Sequence, residues 1–506
     1  MYKNRFNTIM LDKISLEKLK LYQELQTYQE NIYSIHFIST MQKMSYSKLK
    51  QLLTELSVDL KTIDKDTYPL LTSTNQIFIH GWMPNTESYY LYLIKKSIPY
   101  LFLVECLLNQ VSTLQEFSTK YFISSSTVRR RLVNLHDYLH TMDLQINFSK
   151  MKLIGDERLI RITFLLFLWL GDRGKHPQLQ HFQIEETEKL SSVTRLSPYH
   201  DYPTAQSMTR HYAEIAAQRI KGKHFVTDTP KYDTVLKNNL SPNYSECISI
   251  LEVPKEKQLA EARFLAWLSF YGPSFYYEND LLFHSLEELL QKEGSIEYLF
   301  NSKVLTPLLT ELFGSKKMIK KQVIRMNMVN IFFSYAVFQC NTPTFSSLTC
   351  TFLYKDNPLF QELCHTIKKR LSALSKHRHF FWMNRCLTEL TQSFAILLFP
   401  EYERLERKYV LHVSILYESS FTFFQKLDTF LAGIPFVDNH PFDETQLDTI
   451  DFVISSSETL AENIDPDKVI VFPFPNDQKY LYELLGELST LYSKKIKGPL
   501  LEPLVT

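Results

Sequence analysis

The chain has 506 residues, with 56 Lys and Arg against 55 Asp and Glu and a net charge of +1, so no global charge marks a polyanion binder or an acidic protein. At about 150 residues per domain its length suggests three or more domains, and 44% hydrophobic with 22% charged residues is an ordinary globular balance. Glycine is scarce, 11 residues where about 7% is usual. That scarcity, with no GxGxxG and no GxxxxGK[ST] in the sequence, argues against nucleotide-binding folds built on phosphate loops and for a helix-rich chain.

The opening residues MYKNRFNTIMLDK carry no apolar core of a secretory signal. The longest wholly apolar runs, such as Phe164–Leu170 and Phe394–Phe399, fall far short of the roughly 18 residues a spanning helix needs. Cysteines 106, 247, 340, 350, 364 and 386 include no CxxC pair, a scatter that fits reduced, buried thiols better than a zinc site. A cytoplasmic protein without membrane partners is expected. Residues 1–160 carry 19 Lys/Arg against 15 Asp/Glu, a charge of +4, and the remainder −3.

In chain order, Ile35–Gln42 reads as a short helix, Lys43–Ser45 as a turn and Tyr46–Leu56 as a second helix. Leu49, Leu52, Leu53 and Leu56 fall at i, i+3, i+4, i+7 and make one apolar face. Tyr46, Ser47, Lys48, Lys50 and Gln51 are then left facing outward, the pattern of a helix-turn-helix whose second helix enters a major groove. Ile77–Ile79 would be a wing strand, although a plain helical hairpin gives the same signal.

A second such unit follows. Leu114–Tyr121 reads as a helix, Phe122–Ser124 as a turn, and Ser125–Leu139 as one longer helix with Val128, Leu132, Leu135 and Leu139 on its buried side. Arg129, Arg130, Arg131 and Asn134 lie largely off that side, and the serine run Ser124, Ser125 and Ser126 can cap the helix start beside a phosphate. Arginine suits such a helix because its planar fork bonds guanine or phosphate in a bidentate way. The run LQINFSKMKLI then alternates as a hairpin with Lys150 and Lys152 at or near its tip, a second wing.

From Asp156 to about Pro400 the pattern is helix after helix: Arg158–Leu170, Ser207–Ile220, Gln258–Tyr271, Leu281–Glu293, Ile319–Phe338, Pro358–Leu374 and Met383–Leu398. They suggest two bundles joined at Gly294–Ile296, with Phe164, Phe167, Trp169, Phe264, Trp267 and Phe270 as core. The tail alternates strands at Tyr409–Leu416, Ile434–Val437, Phe452–Ser455 and Val469–Phe472 with helices Ser420–Ala432 and Asp477–Tyr492, a small α/β sandwich with a mostly parallel sheet. The stretch Asp438–Lys468, with nine acids and one lysine, is a surface that nucleic acid would avoid.

The run KYFISSSTVRRRLVNLHDYL…LQINFSKMKLIGDERLIR resembles the second winged helix-turn-helix of the Mga/RofA-like transcription regulators, to which the anthrax toxin activator is related, and GDERLIR at Gly155–Arg161 resembles the junction with their first regulatory bundle. The resemblance is specific around residues 112–165 and architectural beyond about residue 200. It implies a mainly α chain with winged helix-turn-helix domains at 1–87 and 88–158, helical domains like those of phosphotransferase-system regulation at 159–290 and 291–402, and an enzyme-IIB-like α/β domain at 403–506. It also implies a homodimer that binds promoter DNA, an activator of virulence or surface-protein genes, working with RNA polymerase and tuned by phosphocarrier proteins acting on histidines. His200, His224, His377 and His379 are the candidates, chosen for exposure or for neighbouring Lys and Arg. The loop Leu416–Ser420 lacks the phosphoacceptor cysteine of a working enzyme IIB, so the tail would bind without carrying phosphate.

An enzyme would need a site, and GxSxG, HExxH and CxxC are all missing; no catalytic residue, cofactor or metal is expected. RNA-binding antiterminators use the same middle domains but begin with a strand-rich module, whereas this chain begins with helices. The remaining alternative is a helical interaction scaffold that no longer touches DNA.

Overall fold

The computed structural model describes residues 4–66, 69–72, 74, 76–81, 83–174, 203–232, 253–268, 271–272, 275, 281–314, 322–350, 354–405, 410–416, 421–443, 445, 447–461, 463–472 and 478–497. They form two compact units: 1–308 with 319–353 and 368–394, and 309–318 with 354–367 and 395–506. Both sides of the Gly294–Ile296 turn therefore lie in the first unit.

The first unit opens with helices α1 (Arg5–Met10) and α2 (Lys13–Leu25), capped by Asn4 and Asp12, whose side chains accept from the backbone N–H groups of Asn7 and Ser15. Strand β1 (Asn31–Ser34) leads into α3 (Ile35–Met41) and α4 (Tyr46–Ile63), which runs two turns beyond its expected end. Leu49, Leu52, Leu53 and Leu56 are all buried, as the heptad-like spacing requires. The expected wing is different: β2 (Gln76–Ile79) pairs antiparallel with β1, which precedes the helix-turn-helix, so the two strands bracket it instead of forming a local hairpin. Asp59 on α4, 4% exposed, accepts from Lys18 of α2 (2.6 Å) and from the hydroxyls of Tyr89 and Tyr92 (3.2 and 3.1 Å) on α5 (Thr86–Lys96). A buried carboxylate needs such partners to be tolerated, and here they lock three helices together.

Helices α6 (Ile98–Leu108), α7 (Leu114–Lys120), α8 (Ser125–Arg131) and α9 (Val133–His140) follow, then the antiparallel hairpin β3 (Gln145–Asn147) and β4 (Lys152–Ile154). Two residues past β4, α10 (Glu157–Asp172) begins the helical middle. It is buried along nearly its whole length and is followed by α11 (Pro203–Lys221), α12 (Lys255–Leu268), α13 (Leu281–Gln291), α14 (Ile296–Phe300), α15 (Thr306–Phe313), α16 (Gln322–Phe338), α17 (Phe345–Thr349), α18 (Pro358–Ser375) and α19 (Leu387–Leu405). Phe164, Phe167, Phe264 and Trp267 are core residues as expected and Trp169 packs edge-on to Phe345, while Phe270 lies outside the described residues. Cys106, Cys340 and Cys386 are buried and free.

The centre of this middle is polar. Arg161, fully buried, reaches both oxygens of Glu261 (2.6 and 2.8 Å), Glu157 (3.1 Å) and the His224 carbonyl (3.0 Å). Arg219 closes the network on both oxygens of Glu157 (2.9 and 2.6 Å). Burial opposes ionisation of Glu157, but Arg219 and then Arg161 outweigh it and hold its carboxyl below the usual range. Three helices, α10, α11 and α12, are thus fixed by charge as well as by apolar contact.

The second unit contains a four-stranded parallel sheet in the order β6-β5-β7-β8, formed by β5 (Leu411–Leu416), β6 (Val437–Pro441), β7 (Phe452–Ser455) and β8 (Val469–Val471). Leu411, Val413, Ile415, Ile454 and Ile470 pack on Leu427 and Leu431 of α20 (Phe421–Ala432) and Leu484 and Leu488 of α21 (Gln478–Lys497). The expected strand Ile434–Val437 is displaced to Val437–Pro441, because backbone bonds Ile434 to Leu431 (2.9 Å) and Val437 to Ile434 (3.1 Å) make its first half a turn. The loop 417–420 lies outside the described residues.

Replacing Arg161 by Ala leaves Glu261 buried without its charge partner, with only the Val226 N–H still donating to it (3.1 Å), a change that typically costs about 3–5 kcal/mol. The Arg161→Ala chain should show a thermal midpoint for the first unit lowered by several degrees, whereas Arg130→Ala, on the surface, should leave it unchanged.

Candidate nucleic-acid interface

Helices α7 and α8 meet at a turn in which Phe122 adopts φ +56° and its side chain is 96% exposed. The N–H of Ile123 reaches the Ser118 carbonyl (2.9 Å), closing α7. Ser124, the first of the expected serine run, caps α8 by accepting from the Thr127 N–H (3.2 Å). Ser125 is used internally, its hydroxyl 2.9 Å from that of Ser118, and Ser126 is exposed. The angle between α6 and α7 is set from beneath by Glu105, only 2% exposed, which accepts from Lys120 and the Tyr121 hydroxyl, both at 2.6 Å.

The expected single helix Ser125–Leu139 is two helices. At Leu132, with ψ near 0°, the backbone departs from the α-helix, and Leu132 N–H is shared between the carbonyls of Val128 (3.0 Å) and Arg129 (3.2 Å). Val128, Leu132, Leu135 and Leu139 are nonetheless all buried, so the apolar period survives the break. The recognition segment is therefore α8 alone: seven residues that bury only Val128.

The break sorts the proposed contacts. Arg129 and Arg130 are exposed; Arg129 stacks over the Phe148 ring, 4.4 Å from its centroid, joining α8 to the hairpin, and among the described residues Arg130 makes no ion pair. Arg131 is instead paired with Asp12, the cap of α2, at 2.5 Å. Asn134 sits on α9 and donates to the Thr8 carbonyl (2.7 Å); both side chains serve packing against the N-terminal helices. Lys150 stands exposed at the hairpin turn and Lys152 is half-buried on β4. Phe148, the residue that carries Arg129, was legible only as one position of an alternating strand.

In the first helix-turn-helix, Tyr46, Ser47, Lys48 and Gln51 are exposed and Lys50 half-buried. Lys48 is paired with Glu17 (3.0 Å) and Gln51 bonds Glu55 (3.1 Å). Around them lie the exposed apolar side chains Ile32, Phe37 and Met41. The exposed arginines Arg129 and Arg130 thus belong to the second unit, and the corresponding segment of the first offers lysines alone.

His200 lies outside the described residues. His377 and His379 are exposed, ring centroids 5.4 Å apart, at the start of a 3-10 segment (Arg378–Arg385), and Arg378 donates to His379 Nε2 (3.1 Å). His224 is different: burial, then Arg219, holds its imidazole below the ordinary value, and its Nε2 is buried without a hydrogen-bond partner. A phosphate could reach it only if that region opened.

Two short helices joined by a tight turn, the second bearing arginines and followed by a lysine-tipped antiparallel hairpin, define a winged helix-turn-helix, a DNA-binding class. Residues 85–168 match the family model described as the Mga helix-turn-helix domain, which supports a DNA-binding transcription regulator of Mga-like kind; the matched stretch runs from α5 through most of α10. No curated protein matches the chain. Among the described residues no helix is long and apolar enough to cross a membrane.

The hairpin's exit depends on Gly155, at φ +144°, where a Cβ would lie 2.4 Å from Leu144 Cδ2 and 3.0 Å from the Asp143 carbonyl. Gly155→Ala should cost about 1–3 kcal/mol through strain and contact. The expected readout is a lower thermal midpoint together with faster amide exchange in β3 and β4, with Ser149→Ala as the silent control.

Proposed function

We propose that this chain is a promoter-binding transcription regulator whose second winged helix-turn-helix is its main DNA reader. The observation that carries the reading is the surface of α8 within the matched segment: seven residues, one buried, with Arg129 and Arg130 exposed and Arg129 braced on the wing through Phe148. An exposed guanidinium held by an aromatic face loses less freedom on reaching a phosphate or guanine edge. Lys150 at the hairpin tip supplies the wing's backbone contact. The first unit, with Lys48 and Gln51 engaged inside the chain, contributes a weaker second contact.

In this reading the helical middle holds two domains like those of phosphotransferase-system regulation, and the parallel-sheet tail is an enzyme-IIB-like module. The chain acts as a homodimeric activator of virulence or surface-protein genes in concert with RNA polymerase. Phosphocarrier proteins modify exposed His377 or His379, each phosphate adding about −1.5 to −2 charges. The 3-10 segment that starts there ends at Arg385, whose guanidinium grips both oxygens of Asp143 (2.6 and 2.5 Å), one residue before the hairpin begins to alternate. Charge added at one end of that segment thereby has a short covalent and ionic route to the wing.

Binding of the purified chain to duplex DNA across a salt series tests the proposal. Arg129→Ala and Arg130→Ala should each weaken binding and lower the log–log salt slope by about one if each arginine touches a phosphate; Arg131→Ala should change the slope least, since Arg131 is already spent on Asp12. Wild-type chain that fails to bind any duplex at low salt, whether or not it has been treated with phosphocarrier enzymes, would favour the interaction scaffold instead.

A further inference from the structure

Strands β5 and β6 bring three metal-ligating side chains together on the sheet face opposite the one that packs on α20 and α21. The parallel register sets His412 beside Asp438 and Ser414 beside His440. Because side chains alternate along a strand, residues 412, 438 and 440 share one face, while Leu411, Val413 and Ile415 point into the apolar core. His412 Nδ1 lies 3.7 Å from Asp438 Oδ2, and the His412 and His440 rings stand nearly parallel, 26° apart in plane with centroids 6.4 Å apart. One ligand atom from each of the three residues lies within 4.8 Å of the others, and all three side chains are half-buried, open to an ion from solvent.

We propose that His412, Asp438 and His440 form a divalent transition-metal site, with Zn²⁺ as the ion of choice, that ties the edge strand β6 to β5. Zinc–nitrogen and zinc–oxygen bonds of about 2.0–2.2 Å put tetrahedral ligand atoms about 3.3–3.5 Å apart. Closing from 4.8 Å to that distance takes side-chain rotation alone. Two imidazoles and one carboxylate select zinc and its neighbours over Mg²⁺ and Ca²⁺, which favour all-oxygen shells. The backbone beneath the site is already held: the His412 N–H donates to Asp451 (2.8 Å), Lys495 bonds the same carboxylate (2.5 Å), and Asn439, between the two β6 ligands, donates to Asp428 of α20 (2.6 Å). Such a preset backbone lowers the ordering cost of binding. Three protein ligands leave a fourth position for water.

Isothermal titration of the full chain with Zn²⁺, after stripping with a chelator, tests the site, with Mg²⁺ as the oxygen-seeking comparison. The wild type should bind one strong equivalent of Zn²⁺ and no comparable Mg²⁺. His440→Ala and Asp438→Asn should each weaken that equivalent at least tenfold while the zinc-free thermal midpoint of the isosteric Asp438→Asn stays at the wild-type value. Two competing pairs among the described residues, His136 and His140 on α9 with centroids 6.4 Å apart and His377 and His379 with centroids 5.4 Å apart, are removed in His136→Ala/His140→Ala and His377→Ala/His379→Ala, each of which should bind like wild type. Loss of the equivalent in either double variant, its retention in both site variants, or no strong Zn²⁺ binding by wild type would overturn the proposal.

Discussion

Arg161 is the residue that ties the helical middle of the first unit together. A guanidinium with no exposed surface is tolerable only when its donors are matched, and Glu261, Glu157 and the His224 carbonyl match it. That requirement fixes α10 against α11 and α12. Since α10 starts two residues after the wing strand β4, it also fixes where the wing emerges from the helical middle. Gly155 makes the turn between them possible. The second winged helix-turn-helix is therefore continuous with the bundle behind it, with only Gly155 and Asp156 between β4 and α10.

The same unit is braced at its other end. Asn134 reaches Thr8, Arg131 reaches Asp12, and Arg5 bonds Glu389 through both carboxylate oxygens at 2.7 and 2.9 Å. Arg385 holds Asp143 on the hairpin side. Surface ion pairs of this kind are individually worth little, yet together they set orientation. The 3-10 segment from Arg378 to Arg385 thus ends on a partner of Asp143, which leads into the hairpin. The two helix-turn-helix units differ accordingly in surface chemistry: the second exposes cations beside a braced wing, the first a mixture of paired charges and apolar side chains.

Much of this was legible in the sequence because apolar period dominates helix placement. Leu49, Leu52, Leu53 and Leu56, and likewise Val128, Leu132, Leu135 and Leu139, are buried as their spacing dictated. What the period could not reveal was the break at Leu132, since a helix that departs from α geometry for a single residue keeps its buried side. Nor could it show that Arg131 and Asn134 point to Asp12 and Thr8, contacts more than a hundred residues away in sequence. The role of β1 was hidden for the same reason: a four-residue strand whose first residue, Asn31, pairs 48 positions downstream with Ile79 has no local signature. In the tail, strand and helix alternation was plain, but the beginning of β6 was read three residues early because Ile434 is apolar and buried in a turn.

If α8 and its hairpin face DNA, side chains on both lie within crosslinking distance of a bound duplex. Photo-crosslinking from single benzoylphenylalanine substitutions at Ser126, Lys150 and Ser47, in otherwise native chain mixed with random-sequence duplexes, tests it most directly. Strong crosslinks from positions 126 and 150 and weak ones from position 47 are expected. Crosslinks from position 47 with none from 126 or 150 would contradict that placement and move recognition to the first helix-turn-helix.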